Sequence, residues 1–229
     1  MMADARAVAG DALLIAGKDL RLEARTRVAT NHVLPFVGAV VMIFAFALDP
    51  DTGVLRRATA GLFWVTVLFA AVLLIQRSFA VEQADGVSDS LRLSGLRPAG
   101  IFLGKVLSLI AELVGIEIVL IGAVIVLYGV HLKGALLLLV TTLAATVAIA
   151  AVGSVYGPLA TGLRASETAL PLLLLPVLAP VLLAATRAFE IALGDTAGGG
   201  WPWAGMLGIV AAVYLTLGLA VWGPLLEET

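Results

Sequence analysis

Between Asn31 and Pro224 the sequence carries six long apolar runs, read as 31–48, 58–75, 104–128, 133–156, 168–188 and 203–223. Each is close to the ~20 residues that cross ~30 Å of hydrocarbon. In that medium every backbone N–H and C=O has to be satisfied inside the segment, so runs of this kind form helices. With 61% hydrophobic and 13% charged residues, the 229 residues are nearly used up by spans. One membrane domain fits, and a separate catalytic domain does not. Cysteine is absent, which excludes disulfides, thiolate metal sites and thioether haem attachment. A net charge of −2 gives no electrostatic reason to expect a nucleic-acid partner.

The breaks between the runs are short, with one exception. Gln76 to Gly100 is a polar, amphipathic insert between the second and third spans. Residues 1–30 carry Asp4, Asp11, Lys18, Asp19 and Glu23 with no uninterrupted apolar core, unlike a cleaved signal. Within them Leu13, Ala16, Leu20 and Ala24 recur at helical spacing beside a basic stripe of Lys18, Arg21 and Arg25. That pattern predicts an amphipathic helix on a membrane surface. The domain reading is an interfacial helix over 1–30 and a six-helix membrane domain over 31–229, with a cytoplasmic coupling segment at 76–100.

Orientation follows from Lys and Arg. Ten fall before the first span, around the insert or at Arg164, and four (Arg56, Arg57, Lys133, Arg187) on the alternate side. By the positive-inside rule both termini and the insert are cytoplasmic. An impermeant thiol reagent should therefore label Thr52→Cys and Thr196→Cys in intact cells and leave Ser88→Cys unlabelled. Labelling at Ser88→Cys would reverse the orientation.

Candidate functional residues are few. The insert interleaves Phe79, Val81, Val87, Leu91, Leu93 and Leu96 with Glu82, Asp85, Asp89 and Arg92. It is either a solvated loop with an interfacial helix or a docking helix, because apolar anchors flanked by charge suit a groove on a soluble partner. Phe79, Glu82, Asp85, Gly86, Asp89 and Leu91 are the candidate docking residues. Glu112 and Glu117 fall within the third span, where a carboxyl group is costly and faces a cavity or a partner. They lie ~140° apart around a helix and do not form a pair. Two readings stay open for them: a glutamic acid bonded to Thr141, Thr142 or Thr146, or a substrate or proton path. Pro171, Pro176 and Pro180 fall in the fifth span, consistent with a kinked or gating helix. His32 and His131 sit at opposite faces and cannot share one metal ion. The stretch Gly100 to Lys105 superficially suggests a phosphate loop. Its glycines are too close, and no Ser or Thr follows the lysine, so ATP hydrolysis would belong to another chain.

Several segments together resemble the CcmB family, the membrane subunit of the cytochrome c maturation ABC transporter. They are Lys18-Asp-Leu-Arg-Leu-Glu-Ala-Arg25, Arg77-Ser-Phe with Asp85-Gly86 and Leu91, Gly104-Lys105-Val106, and Gly162-Leu-Arg164 followed by Leu170-Pro171 through Pro176 to Pro180. Span count and length agree along essentially the whole chain. The resemblance implies an all-α integral membrane protein of type-2 ABC permease architecture, six transmembrane helices with an N-terminal interfacial helix, in the bacterial inner membrane. It implies a non-catalytic permease subunit paired with a CcmA-like ATPase and a CcmC-like haem-handling protein, with CcmD- and CcmE-like proteins as further candidates. No cofactor would be bound directly. ATP would act through the partner, and haem is the candidate cargo, either exported or released on a loaded chaperone. The alternative is a type-2 ABC permease for a drug, lipid or polysaccharide. An intramembrane enzyme has no paired acid or His cluster to support it.

Overall fold

The computed structural model describes residues 2–27, 29–48, 53–84, 95–129, 133–161, 166–194 and 198–228. Among them the chain forms seven α-helices: α1 (Met2–Thr26), α2 (Leu34–Ala47), α3 (Val54–Ala84), α4 (Pro98–Tyr128), α5 (Ala135–Thr161), α6 (Ser166–Leu193) and α7 (Trp201–Glu228). A π turn, Ala29–Val33, leads into α2. Six stretches are long and apolar enough to cross a membrane, starting at Ala29, Val54, Pro98, Ala135, Leu170 and Trp201. The outer surface is correspondingly apolar: Phe46 is 83% and Val126 80% exposed. Such a surface suits lipid rather than water.

The helices overrun the apolar runs. α3 continues to Ala84, well past the expected end at 75, and α4 begins at Pro98 rather than 104. Hydropathy marks where a chain leaves hydrocarbon, whereas the hydrogen-bond ladder goes on until something breaks it. Residues 76–84 contain no Gly or Pro. Proline at the first helical position is a favoured start, and Arg97 before it is extended, with φ −72° and ψ 134°. At the far end Gly129, at φ 61°, caps α4 in the left-handed conformation that favours glycine.

Helix α5 is central, packing on α3, α4, α6 and α7. Its run of Ala145, Ala148, Ala150, Ala151, Gly153 and Ser154 is buried. Small side chains let neighbouring backbones approach where lipid offers no hydrophobic drive between helices. A Cβ at Gly153 would collide with the Ile75 side chain and one at Gly157 with the Phe79 ring, so this Gly-xxx-Gly face is the seat of α3. Toward the opposite end Phe63, Trp64 and Phe189 stack with ring centroids 4.9–5.3 Å apart and join α3 to α6. Helix α2 is peripheral, packing on α3 and α4; the Tyr128 hydroxyl ties it by donating to the Val41 carbonyl at 3.1 Å.

Helix α1 packs along the first half of α4 in the same direction. A Cβ at Gly100 would meet Asp11, and one at Gly104 would lie 2.6 Å from Ile15 Cβ and 2.8 Å from the Ala12 carbonyl oxygen. The buried face of α1 is Ala12, Ile15, Ala16 and Asp19; of the expected apolar stripe only Ala16 falls on it, while Leu13 is 68% and Leu20 37% exposed. The two faces are ~100° apart around the helix. Close approach to α4 is made by Ala12, Ile15 and Ala16 over the glycines of α4, and Leu13 and Leu20 are left outward.

Candidate functional site

The charged and polar groups converge at the end of the bundle where α3 stops and α4 starts. Lys105, two turns into α4, is 1% exposed. Its Nζ lies 2.9 Å from Asp19 Oδ2 on α1, donates to Ser78 Oγ on α3 at 3.3 Å, and sits 5.4 Å from the centre of the Phe79 ring. Asp19 also meets Lys18 at 3.0 Å. A lone buried ammonium is very costly, and the Asp19 carboxylate supplies the opposite charge that offsets it. The cation over the ring adds a further attraction.

Around this pair the packing is close. Phe79 faces Trp222 of α7 at 6.4 Å between centroids, and Phe102 faces the same indole at 5.4 Å. The Phe102 ring occupies the space that a side chain at Gly218 would need. About two turns from the Asp19–Lys105 pair, toward the insert, the Arg97 amide donates to Asp11 Oδ2 at 3.2 Å, and its guanidinium lies 3.6 Å from Asp11 and 3.5 Å from Asp4. At the other end of α1, Glu23 accepts a hydrogen bond from the Ala29 amide, which opens the π turn.

Phe79, expected as an outward docking anchor, is instead 5% exposed inside the bundle. The reason is the overrun of α3: residue 79 lies on its continuing inner face, over Gly157. Glu82 falls within the backbone of α3, while Asp85, Gly86, Asp89 and Leu91 lie outside the described residues. The Gly100–Lys105 stretch holds α1, with both glycines seating its backbone and the lysine pairing with Asp19.

The two intramembrane carboxyl groups are in different surroundings. Glu112 lines a cleft of about 440 Å³ with Glu23, Arg27, Thr30 and Leu34, where α1 gives way to the first span. Glu117 is 1% exposed. Its carboxyl oxygens lie 2.8 and 2.9 Å from the Thr146 hydroxyl, which is also 2.8 Å from the Thr142 carbonyl. A hydroxyl has one proton and serves one such acceptor at a time. Beside Glu117 runs an apolar groove of about 300 Å³ between α4 and α5, with Thr59 and Phe63 of α3 and Phe189 and Leu193 of α6 behind it.

Pro171, Pro176 and Pro180 all lie within α6, which is assigned as one helix. His32 is exposed in the π turn, and His131 lies outside the described residues. Among the described residues no three His, Cys, Asp or Glu side chains are grouped to hold a metal ion.

Asp19, Ser78, Arg97 and Trp222 were not picked out as site residues from the sequence, because their partners are remote in the chain. The available signal was Gly100-xxx-Gly104, a small-residue spacing that marks a helix crossing.

The family described as CcmB protein matches residues 11–223. The chain is 30% identical over 203 residues to Heme exporter protein B of Haemophilus influenzae, covering 88% of this chain and 89% of that protein. It is 30% identical over 213 residues to Heme exporter protein B of Paracoccus denitrificans, covering 91% and 93%. The like-named protein of Pseudomonas aeruginosa is 29% identical over 183 residues, covering 79% and 81%.

Proposed function

This chain belongs to the CcmB protein family, and from that premise we propose that it is the membrane permease subunit of the haem exporter, the ABC transporter of cytochrome c maturation. The observation that carries the reading is the family match over 11–223, which takes in every span and most of α1.

ATP hydrolysis is assigned to a separate CcmA-like subunit. The engagement of Gly100, Gly104 and Lys105 with α1 supports this, because it leaves that stretch no room to cradle a phosphate. The segment 76–100 is the coupling element, with Glu82, Asp85, Gly86, Asp89 and Leu91 as its docking residues and Phe79 as its root in the bundle. CcmC-like and, beyond it, CcmD- and CcmE-like proteins are the further partners. Haem is the cargo of the complex and is not a cofactor of this chain. The site is the bacterial inner membrane with both termini cytoplasmic, a placement supported by the ten-to-four split of basic residues. The outward leucines and the basic stripe of α1 suit the headgroup layer. Pro171, Pro176 and Pro180 make α6 the candidate gating helix, since each proline removes one rung of its hydrogen-bond ladder.

Purification of a tagged copy from native membranes tests the assignment. The ATPase subunit should accompany it, and charge reversal at Glu82 and Asp85 together should cut the recovered ATPase by about tenfold, as for a docking interface that loses its charge complementarity. A wild-type chain that purifies with no ATPase overturns the assignment. Undiminished recovery with the double reversal moves the docking surface elsewhere.

A further inference from the structure

We propose that Asp19 and Lys105 are positioning residues: a buried latch that makes α1 a second transmission arm, carrying displacement of the insert to the entry of the first span. The proposal rests on the reading above that a motor subunit grips the insert.

The location of the pair is the first argument. Lys105 follows the insert on α4, and Ser78 and Phe79 lie at the insert's start on the end of α3, so one ammonium touches the helices at both ends of the insert. Its carboxylate partner is on neither helix but on α1. Any shift of the insert relative to the bundle therefore acts on Lys105, and through it on Asp19.

The second argument is rigidity. Gly100 and Gly104 bring α1 into backbone contact with α4, and Arg97 ties Asp11 at the insert's edge. Sliding α1 by one turn, ~5.4 Å, would break Asp19–Lys105 and Asp11–Arg97 together. The two contacts thus fix one register, and α1 moves with α4 as a body.

The third is continuity. The Ala29 amide is held by Glu23 of α1 and opens the π turn into α2. Displacement of α1 is thereby delivered to the first span, which otherwise packs only peripherally. Stability alone does not explain the pair, because apolar replacement of a buried ion pair is often neutral or stabilising. Holding a register is the better-attested use of such a pair.

The test uses the complete complex in native membranes, with three readouts: amount of chain, co-purified ATPase with its hydrolysis rate, and covalent haem staining of c-type cytochromes. The neutral double variant D19N/K105M leaves no buried charge stranded, since Lys18, the other cation that Asp19 meets, is 39% exposed. It should accumulate and bind ATPase like wild type, hydrolyse ATP, and lower haem staining about tenfold, within the usual range of a coupling interaction. The charge swap D19K/K105D should restore staining to near wild type, whereas K105D alone should not. Normal staining in the neutral variant overturns the latch, as does a swap that accumulates without staining. If neither variant accumulates, the pair serves folding alone and the latch is likewise overturned. Failure of the underlying reading is distinct: wild-type chain then recovers no ATPase.

Discussion

Deleting this chain is expected to remove covalent haem staining of c-type cytochromes to background while b-type cytochromes stay at their normal level. Both classes use the same haem, but only c-type cytochromes attach it covalently, so a loss confined to them places the defect in delivery and complex turnover rather than haem synthesis. Family membership over 11–223 directs the expectation. The chain's own chemistry bears on one point: cysteine is absent, so the chain offers no thiol for thioether attachment of haem. Haem staining and difference spectra of membranes from the deletion strain decide the matter. Normal c-type staining, with no second gene copy, would leave a type-2 permease for another substrate, and altered envelope or drug tolerance would then be the phenotype.

The second large effect is expected from Gly104→Leu. A Cβ there would lie 2.6 Å from Ile15 Cβ and 2.8 Å from the Ala12 carbonyl oxygen, and a backbone oxygen cannot turn aside as a side chain can. Overpacking of this kind costs about 1–3 kcal/mol. Lifting α1 would also separate Asp19 from Lys105, and stranding one partner of a buried pair costs about 3–5 kcal/mol. The variant should show a clearly lower melting midpoint in detergent and a new trypsin cut within α1 at Arg21 or Arg25. Gly38→Leu is the control, since nothing lies within 4 Å of a Cβ at Gly38; it should stay within about 0.5 kcal/mol of wild type. A wild-type melting profile and no new cut in Gly104→Leu would show that α1 is not seated on α4 through this glycine.

Particular residues show how far the sequence could be read. The six spans were legible because each apolar run must meet its own backbone hydrogen bonds. Their ends were less so: Pro98 is a helix-start signal six residues before the apolar run, while α3 runs on to Ala84 through polar residues that carry no breaker. Glu117 stood out as a carboxyl group in a span, and three threonines were in reach of the argument. Only packing of α4 on α5 selects Thr146. Phe79 was conspicuous for its place in the insert, but the face it occupies depends on α3 remaining helical past 75.

Lys105 marks the limit most sharply. Read along the chain, it closes a glycine-spaced stretch resembling a degenerate phosphate loop; in the fold, the same glycines seat α1 and the lysine pairs with Asp19. Local chemistry by itself determined the class of this protein and its span count, because hydrocarbon imposes those on each segment independently, and the Lys and Arg of the loops set its expected orientation. Which helices touch, which face of α1 is buried and which charges meet were decided only by the tertiary structure. Lipid is as apolar as leucine, so hydropathy cannot rank one helix pairing above another. The choice falls to small residues at crossings and to polar partners far apart in the chain, such as Arg97 and Asp11, separated by 86 positions.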